Sequence, residues 1–539
     1  MRTHPMRHLP ARKRLRRLIA LTLLAFAALE LVRFPAASAE TPPFLWASSG
    51  GGNSTDLGNA IAVDAEGNSY VTGEFYSSTA RFGSTTLTNG PFFIAKFDSA
   101  GQPVWARQAI GSAKGYAIAT DADGNSFVTG EFFNPIARFG DLTVTNSANN
   151  PSADIFVVKY DSSGNAQWAR SAGAGGLLFV DDRGLGIALD GATNCFVTGL
   201  VRGPVIIGND SLTNGGLFLA KYDSGGSALW AREAFGVDRG TAVAADAAGN
   251  SYVTGFFTTT NANFGPTNPL TNPGFFIAKY DSAGNVLWVR QTGTTNSGSA
   301  GYGIAVDAAG NSFVTGAFTS GNLFFGSVMV TNHSAGVSFS PDMFVASYDA
   351  AGDVRWARSG GGNTSDYGFA IAVDAAGGTY VTGFLQQGGT FDGIVLTNPS
   401  TPFAVKYDSA GNVLWAKQPT GEIGSQGGKG IAVDAKGDAH LTGDIAGVAT
   451  FDGVALTADN FGDILVAKIG LPPVGLFIVG DQIVLSWSTN VAGFVLESAP
   501  ELSAGTNWTP ETNAAVVGDH YTATNDTIVE RKFYRLRKP

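Results

Sequence analysis

The chain has 539 residues, of which 44% are hydrophobic and only 14% charged, with 72 glycines and a formal net charge of −10. That length exceeds one ordinary core, so the choice lies between several domains and one large repeat architecture. The acidic balance argues against nucleic acid and anionic membranes as partners, and a single cysteine, Cys195, excludes an internal disulfide and any multi-cysteine metal site.

Residues 1–39 read as an export signal: Arg12, Lys13, Arg14, Arg16 and Arg17 precede an apolar run from Leu18 to Leu29, and Ala37-Ser38-Ala39 stands before Glu40. The run falls short of the ~20 residues a membrane span needs, and Glu30 and Arg33 interrupt its end. Cleavage after Ala39 is therefore expected, with no transmembrane segment left. The residues around Arg16-Arg17 fit twin-arginine export poorly, so general secretion is the default. The product would lie outside the cell or at its surface, with the periplasm as the other compartment. Cleavage removes eight Lys/Arg and one acid from totals of 34 and 44, which leaves a net charge of −17.

From Gly58 onward the phrase GNAIAVDAEGNSYVTG returns in recognisable form, seven times in all. Its aspartate falls at Asp64, Asp121, Asp190, Asp246, Asp307, Asp374 and Asp434, at spacings of 57, 69, 56, 61, 67 and 60 residues, each suited to one four-stranded unit. The apolar run ending in AVD predicts a first strand and NSYVTG a second, joined by an Asp-x-x-Gly-Asn turn in which glycine takes positive φ. FFIAKYD and VLWAR predict a third and fourth strand around the similar turn DSAGN, for example Asp281 to Asn285. Apolar residues on both faces of the first and third strands suit a sheet sandwiched between other sheets. In the third unit Cys195 takes the serine position and is expected to pack as a buried residue. Gly191-Ala192-Thr193 there, and Gly377-Gly378 in the sixth unit, alter the first turn.

The fourth strand carries Trp105, Trp168, Trp230, Trp288, Trp356 and Trp415, but the seventh unit stops at Gly470 without one. Phe44-Leu45-Trp46-Ala47 resembles an orphan fourth strand, and SSGGGNSTDLG after it mirrors RSGGGNTSDYG after Trp356. Trp46 is thus expected to complete the seventh unit, which would remove two exposed sheet edges. The repeated tryptophans are read as packing between sheets.

These residues resemble the seven-bladed β-propeller repeat (SBBP) of bacterial secreted proteins, whose repeats carry the signature IAVDxxGNxYVTG. The resemblance covers about residues 44–470 and implies an all-β fold, a seven-bladed propeller of four-stranded blades over residues 40–470, and life outside the cytoplasm. It implies no reaction, because propellers host unrelated functions. Beyond Leu471-Pro472-Pro473, residues 471–539 hold short apolar segments, GLFIV, QIVLSWS, GFVLESA and KFYRLR among them, that predict a small β-sandwich. This tail is similar to immunoglobulin-like or fibronectin-III-like modules, and anchoring to the envelope or spacing is the job expected of it.

In a propeller the turns after the first and third strands share one face, and the loops after the second and fourth strands share the other. The first class is nearly invariant here, whereas the second varies, as in Leu178 to Gly184 and Asn332 to Asp342. Ligands are expected on the variable face. The residue after each Thr-Gly points toward it: Glu74, Glu131, Leu200, Phe256, Ala317, Phe384 and Asp444. Asp444, Glu74 and Glu131 fall in adjacent units once the ring closes, an acidic arc opposite an apolar one and a candidate site for a cation or a sugar. Three solvated strand ends are nevertheless the reading favoured for them, because exposed carboxylates are ordinary. A ring of the seven first-strand aspartates could hold a cation such as calcium, but each is expected to cap its own turn. No cofactor is expected.

Catalysis needs a nucleophile with a base, a metal cluster or tuned carboxylates. Only His333, His440 and His520 follow the export signal, at no metal-ligand spacing. The leading expectation is a non-enzymatic propeller that binds glycans or proteins. A polysaccharide-acting glycosidase or lyase using the three acids comes second, and a structural spacer third.

Overall fold

The computed structural model describes residues 41–539 except for residue 89 and the short segments 148–151, 176–180, 266–268, 294–297, 335–339, 425–426, 459–461, 472–474, 480–481, 489–493, 501–506, 518–519, 527–531 and 538–539. The export signal expected over residues 1–39 lies outside the described residues, as do parts of the two variable loops named above. The described residues form strands and turns and no helix, hence none long and apolar enough to cross a membrane.

Each repeat phrase folds as expected into four antiparallel strands, and among the described residues seven such sets follow one another along the chain, five as separate four-stranded sheets and the first and seventh within six-stranded ones. The first comprises Asp56–Val63, Ser69–Phe75, Phe92–Phe97 and Pro103–Ile110. In the seventh, Gly428–Val433, the first half of Ala439–Phe451 and Asp463–Ile469 are joined by Phe44–Gly50 as the fourth strand. Ala47 lies opposite Ala467, and Gly50 opposite Ile464.

The tight turn after each first strand is built by its aspartate. Asp64 accepts the backbone N–H groups of Glu66 and Asn68 at 3.1 and 2.8 Å, the Asn68 amide at 2.8 Å and the Tyr70 hydroxyl at 3.0 Å. The carboxylates of Asp121, Asp190, Asp246, Asp307, Asp374 and Asp434 accept the equivalent backbone donors. A carboxylate that satisfies several donors within one turn holds the register of the hairpin it closes. In the sixth sheet Gly378 stands in the asparagine position, so Asp374 turns its second oxygen to Tyr380 and Lys406, both at 3.1 Å.

Thr193 occupies in the third sheet the position that glycine holds in the other turns, at φ +60°, against +81° at Gly67. A β-branched residue is strained there. Thr193→Gly is expected to stabilise the protein by roughly 0.5–1 kcal/mol after the extra chain entropy of glycine is offset, as read from a urea midpoint.

The Thr-Gly pair within each second strand explains how the sheets nest. The Thr72 hydroxyl donates to the Phe93 carbonyl at 2.8 Å, and its counterparts do the same at 2.6–2.9 Å in every sheet. Each of these hydroxyls also faces the first-strand glycine of the next sheet so closely that a Cβ would sit 2.0–2.2 Å from it. The series runs Thr72 to Gly115, Thr129 to Gly184, Thr198 to Gly240, Thr254 to Gly301, Thr315 to Gly368 and Thr382 to Gly428, and Thr442 returns to Gly58. The glycine following each threonine would place a Cβ 1.8–2.3 Å from a carbonyl of its own first strand, so only hydrogen fits.

The tryptophans tie the outer edge together. The Trp105 indole N–H donates to the Ser162 carbonyl in the next sheet at 3.1 Å, and Trp168, Trp230, Trp288 and Trp356 repeat the contact at 3.0–3.2 Å. Beneath each ring lies the turn glycine of that next sheet, at positive φ. Trp46 makes the same bond to Ser99 at 3.1 Å and lies 6.0 Å from His440. That matches the edge contacts Trp105 to Tyr70 and Trp415 to Tyr380, at 6.1 and 6.0 Å. Trp46 therefore occupies the place in the seventh sheet that Trp105 occupies in the first.

The structure adds an element that was not expected. The segment between second and third strands is a short hairpin in every repeat, such as Ala80–Phe82 with Thr85–Leu87 or Ile136–Phe139 with Leu142–Thr145. Its signal was present as the recurrent Phe-Gly and Leu-Thr-Asn residues, as in Phe82-Gly83 and Leu87-Thr88-Asn89. Phe82, Phe139, Phe325, Phe391 and Phe451 are buried beneath these hairpins. The loops expected simply to vary are thus anchored at their base.

The tail holds two sheets. Gly475–Val479, Gln482–Ser488, His520–Asp526 and Ala515–Val517 form one; Thr509–Pro510, Val495–Ala499 and Phe533–Arg537 form the other. Both supply one apolar cluster of Leu485, Trp487, Phe494, Leu496 and Ala523, and Leu45 of the closing strand packs against it.

Candidate functional site

Each first strand contains a β-bulge at its glycine. Gly58 pairs with Gly73 and Ala60 with Thr72, which leaves Asn59 unpaired. The residues flanking each glycine, together with the residue after each Thr-Gly, form an inner rim where the first strands converge. Rim contacts pass from sheet to sheet: Asn59 donates to the Gly115 carbonyl at 2.9 Å and Thr241 to the Gly301 carbonyl at 2.6 Å.

One arc of the rim is charged. Glu74, 8% exposed, accepts the Tyr76 hydroxyl at 2.7 Å and meets Lys114 of the second sheet at 3.3 Å. Glu131, 1% exposed, accepts the Tyr116 hydroxyl and meets Arg183 of the third sheet at 2.7 Å. Burial pushes the Glu131 carboxyl above its usual range, against the opposing pull of Tyr116 and Arg183. Asp444 is buried on the seventh sheet, where its charge favours the Lys429 ammonium while burial pushes that lysine's pKa down. The expectation of three solvated acids is therefore corrected: Glu74, Glu131 and Asp444 are all buried, in an arc of mixed sign. The missed signal was the basic residue immediately before the first-strand glycine, in Lys114-Gly115, Arg183-Gly184 and Arg239-Gly240.

The opposite arc is aromatic. Tyr367 and Phe369 stack at 5.5 Å with planes 9° apart, and Tyr302 lies 5.9 Å from Phe369 and 6.4 Å from Tyr367. The Lys429 ammonium stands over the Phe369 ring at 4.6 Å. Leu200 and Ala317 are buried, while Phe256 and Phe384 are partly exposed.

Elsewhere on the loop side, aspartates are buried at seams between sheets. Asp366 accepts the Gly362 and Gln386 N–H groups at 2.6 and 3.1 Å, and Asp182 accepts those of Ala174 and Arg202, both at 2.6 Å. Burial, with neighbouring Asp342 adding, pushes Asp366 up to about 7; burial, with Asp154 and Asp181 adding, pushes Asp182 up to about 6. His440 is buried between Ser69 at 2.8 Å and Asp434 at 3.3 Å, and burial pushes its pKa down. Cys195 is buried and its thiol is pushed up by desolvation, which keeps it unreactive. Among the described residues no group of three or more His, Cys, Asp or Glu is placed to hold a metal ion. The first-strand aspartates each give one oxygen to their own turn, and in Asp64, Asp190, Asp374 and Asp434 the second also meets a lysine.

A family model described as "Beta-propeller repeat" (SBBP) matches residues 287–324. "Uncharacterized WD repeat-containing protein L264" of Acanthamoeba polyphaga mimivirus is 23% identical over 501 residues, 72% of this chain and 35% of that protein. "Regulatory protein FlaEY" of Caulobacter vibrioides is 34% identical over 124 residues, 23% of this chain and 12% of its own length. The chain thus spans about a third or less of these curated relatives. Among solved structures, the WD40 repeats of RRP9 align at a TM-score of 0.44 and 9% identity, covering 80% of this chain and 99% of that one. U3-55K aligns at 0.43 and 9%, covering 80% and 100%. Over residues 287–324, within one of its repeats, the chain is thus similar to a β-propeller repeat.

Proposed function

We propose that the chain is an exported, seven-bladed interaction propeller that binds a glycan or a protein ligand at its loop-rich face, around the inner rim. The tail, read as an immunoglobulin- or fibronectin-III-like module, would contact the envelope. One observation carries this reading. Residues that shape the sheets recur around the molecule, namely the nesting threonine and glycine, the turn aspartate and the outer tryptophan. Rim residues differ from sheet to sheet, with Leu57, Lys114, Arg183, Arg239, Ala300, Tyr367 and Gly427 at one equivalent position. Shape alone asks for uniformity, whereas recognition asks for difference.

An enzymatic reading, a glycosidase or lyase, draws support from the buried Glu131 with its raised pKa. Against it, Tyr116 and Arg183 already engage that carboxylate. Glycan arrays and pull-downs with the full chain test the proposal, with specific retention expected. Polysaccharide turnover that disappears in Glu131→Gln would overturn it in favour of an enzyme, and failure to retain anything in either assay would favour a spacer.

A further inference from the structure

Two seams of the rim follow one rule and the next breaks it. The cation before the first-strand glycine of one sheet pairs with the acid after the Thr-Gly of the sheet before it, as Lys114 with Glu74 and Arg183 with Glu131. At the seam between the third and fourth sheets the cation is Arg239, but Leu200 stands where the acid would be. Among the described residues no carboxylate pairs with Arg239, and its Nε is buried without a hydrogen-bond partner.

The groups facing this guanidinium come from several elements. Phe256 lies beneath it at 4.9 Å. Tyr302 and Asp238 favour its charge, Arg183 and Arg202 oppose it, and burial lowers its pKa most. Asp238 is itself engaged by the Thr258 N–H at 2.5 Å and the Thr258 hydroxyl at 3.2 Å. Arg239 is partly exposed, and a guanidinium that is partly desolvated with no anion beside it gains from an anion that reaches its open side. Arg is also the side chain suited to a planar carboxylate.

Next around the rim come Tyr302, Tyr367 and Phe369, partly exposed, and among the described residues the two tyrosine hydroxyls make no hydrogen bond to protein. Aromatic faces suit the C–H face of a sugar ring, free phenols suit its hydroxyls, and Arg239 suits a carboxylate. A uronic acid residue carries all three complements in one unit. Resting on the reading of the rim as a binding surface, we propose that Arg239 takes the carboxylate of an acidic sugar residue, with the sugar ring toward the Tyr302, Tyr367 and Phe369 arc.

The test is calorimetric titration of the full chain with tetragalacturonate, with neutral cellotetraose and with an acidic tetrapeptide. Tetragalacturonate is expected to bind, and cellotetraose at least about tenfold more weakly. Arg239→Gln should weaken the uronate about 10- to 100-fold. Leu200→Glu should do the same by supplying the acid the seam lacks, with the melting temperature of each variant reporting its fold. Uronate binding that neither substitution changes would overturn the proposal, and so would Arg239-dependent binding of the peptide with none of the uronate. If an array or pull-down ligand is retained equally by wild type and Arg239→Gln, this inference fails and the binding function stands. If the wild type retains nothing, both fail.

Discussion

Deleting residues 41–50 is expected to abolish the single cooperative unfolding transition and to leave a chain prone to association. The segment supplies the whole fourth strand of the seventh sheet, paired from Phe44 opposite Ile469 to Gly50 opposite Ile464. Without it, Asp463–Ile469 becomes an open edge that can recruit another chain. Leu45 would also leave the apolar cluster of the tail. The milder change Trp46→Ala should cost about 2–3 kcal/mol, below the roughly 3–5 kcal/mol of a fully buried tryptophan because this ring is only partly covered. It removes the indole bond to Ser99 and the contact with His440. Denaturant titration measures both effects, and a wild-type transition in either variant would show that the strand contributes little.

The second large effect concerns pH. The Asp366 carboxyl titrates near pH 7 in the folded chain, raised from 3.8, and that of Asp182 near 6. For an acid raised in this way the folded state holds its proton more tightly than the unfolded state does. Its contribution is fully present below the unfolded pKa and is lost as pH rises through the folded one, at about 1.4 kcal/mol for each tenfold difference in proton affinity between the two states. Stability carried by these two groups should thus fall between about pH 4 and pH 7. His440 acts in the opposite sense, because its lowered pKa makes the folded state resist protonation as pH falls below 6.5. Asp434, held below its usual range, is lost only in stronger acid. Comparing Asp366→Asn with wild type isolates the one group. The variant should gain relative stability from about pH 4 to pH 7 and then level off, and a difference that does not change with pH would contradict the assignment.

How much of this could be read from residues alone varied with the kind of interaction. Strands and turns were legible because Asp64-Ala65-Glu66-Gly67-Asn68 is a local hydrogen-bonding unit whose chemistry is complete within five residues. The orphan strand at Trp46 was legible because its flanking residues copy those of Trp356. The hairpins after the second strands were missed, since their brief alternation is weak and only burial of Phe82 and its counterparts gives it meaning. At the rim, the positions of Glu74, Glu131 and Asp444 were expected, but not their electrostatics. The partners Lys114 and Arg183 lie 40 and 52 residues along the chain from Glu74 and Glu131, and only the bulge and the nesting of neighbouring sheets bring them together.

The fold rests on pairing between the start of the described chain and its seventh sheet. The most direct measurement is disulfide trapping of Ala47→Cys with Ala467→Cys in a Cys195→Ser background, since these positions lie directly opposite one another and cross-strand Cβ atoms stand about 4.5–5.5 Å apart. Near-complete oxidation under mild conditions, with the linked peptides identified by mass spectrometry and the transition midpoint raised, is the predicted result. Two thiols that stay reduced in a folded chain, or that link only between molecules, would contradict it.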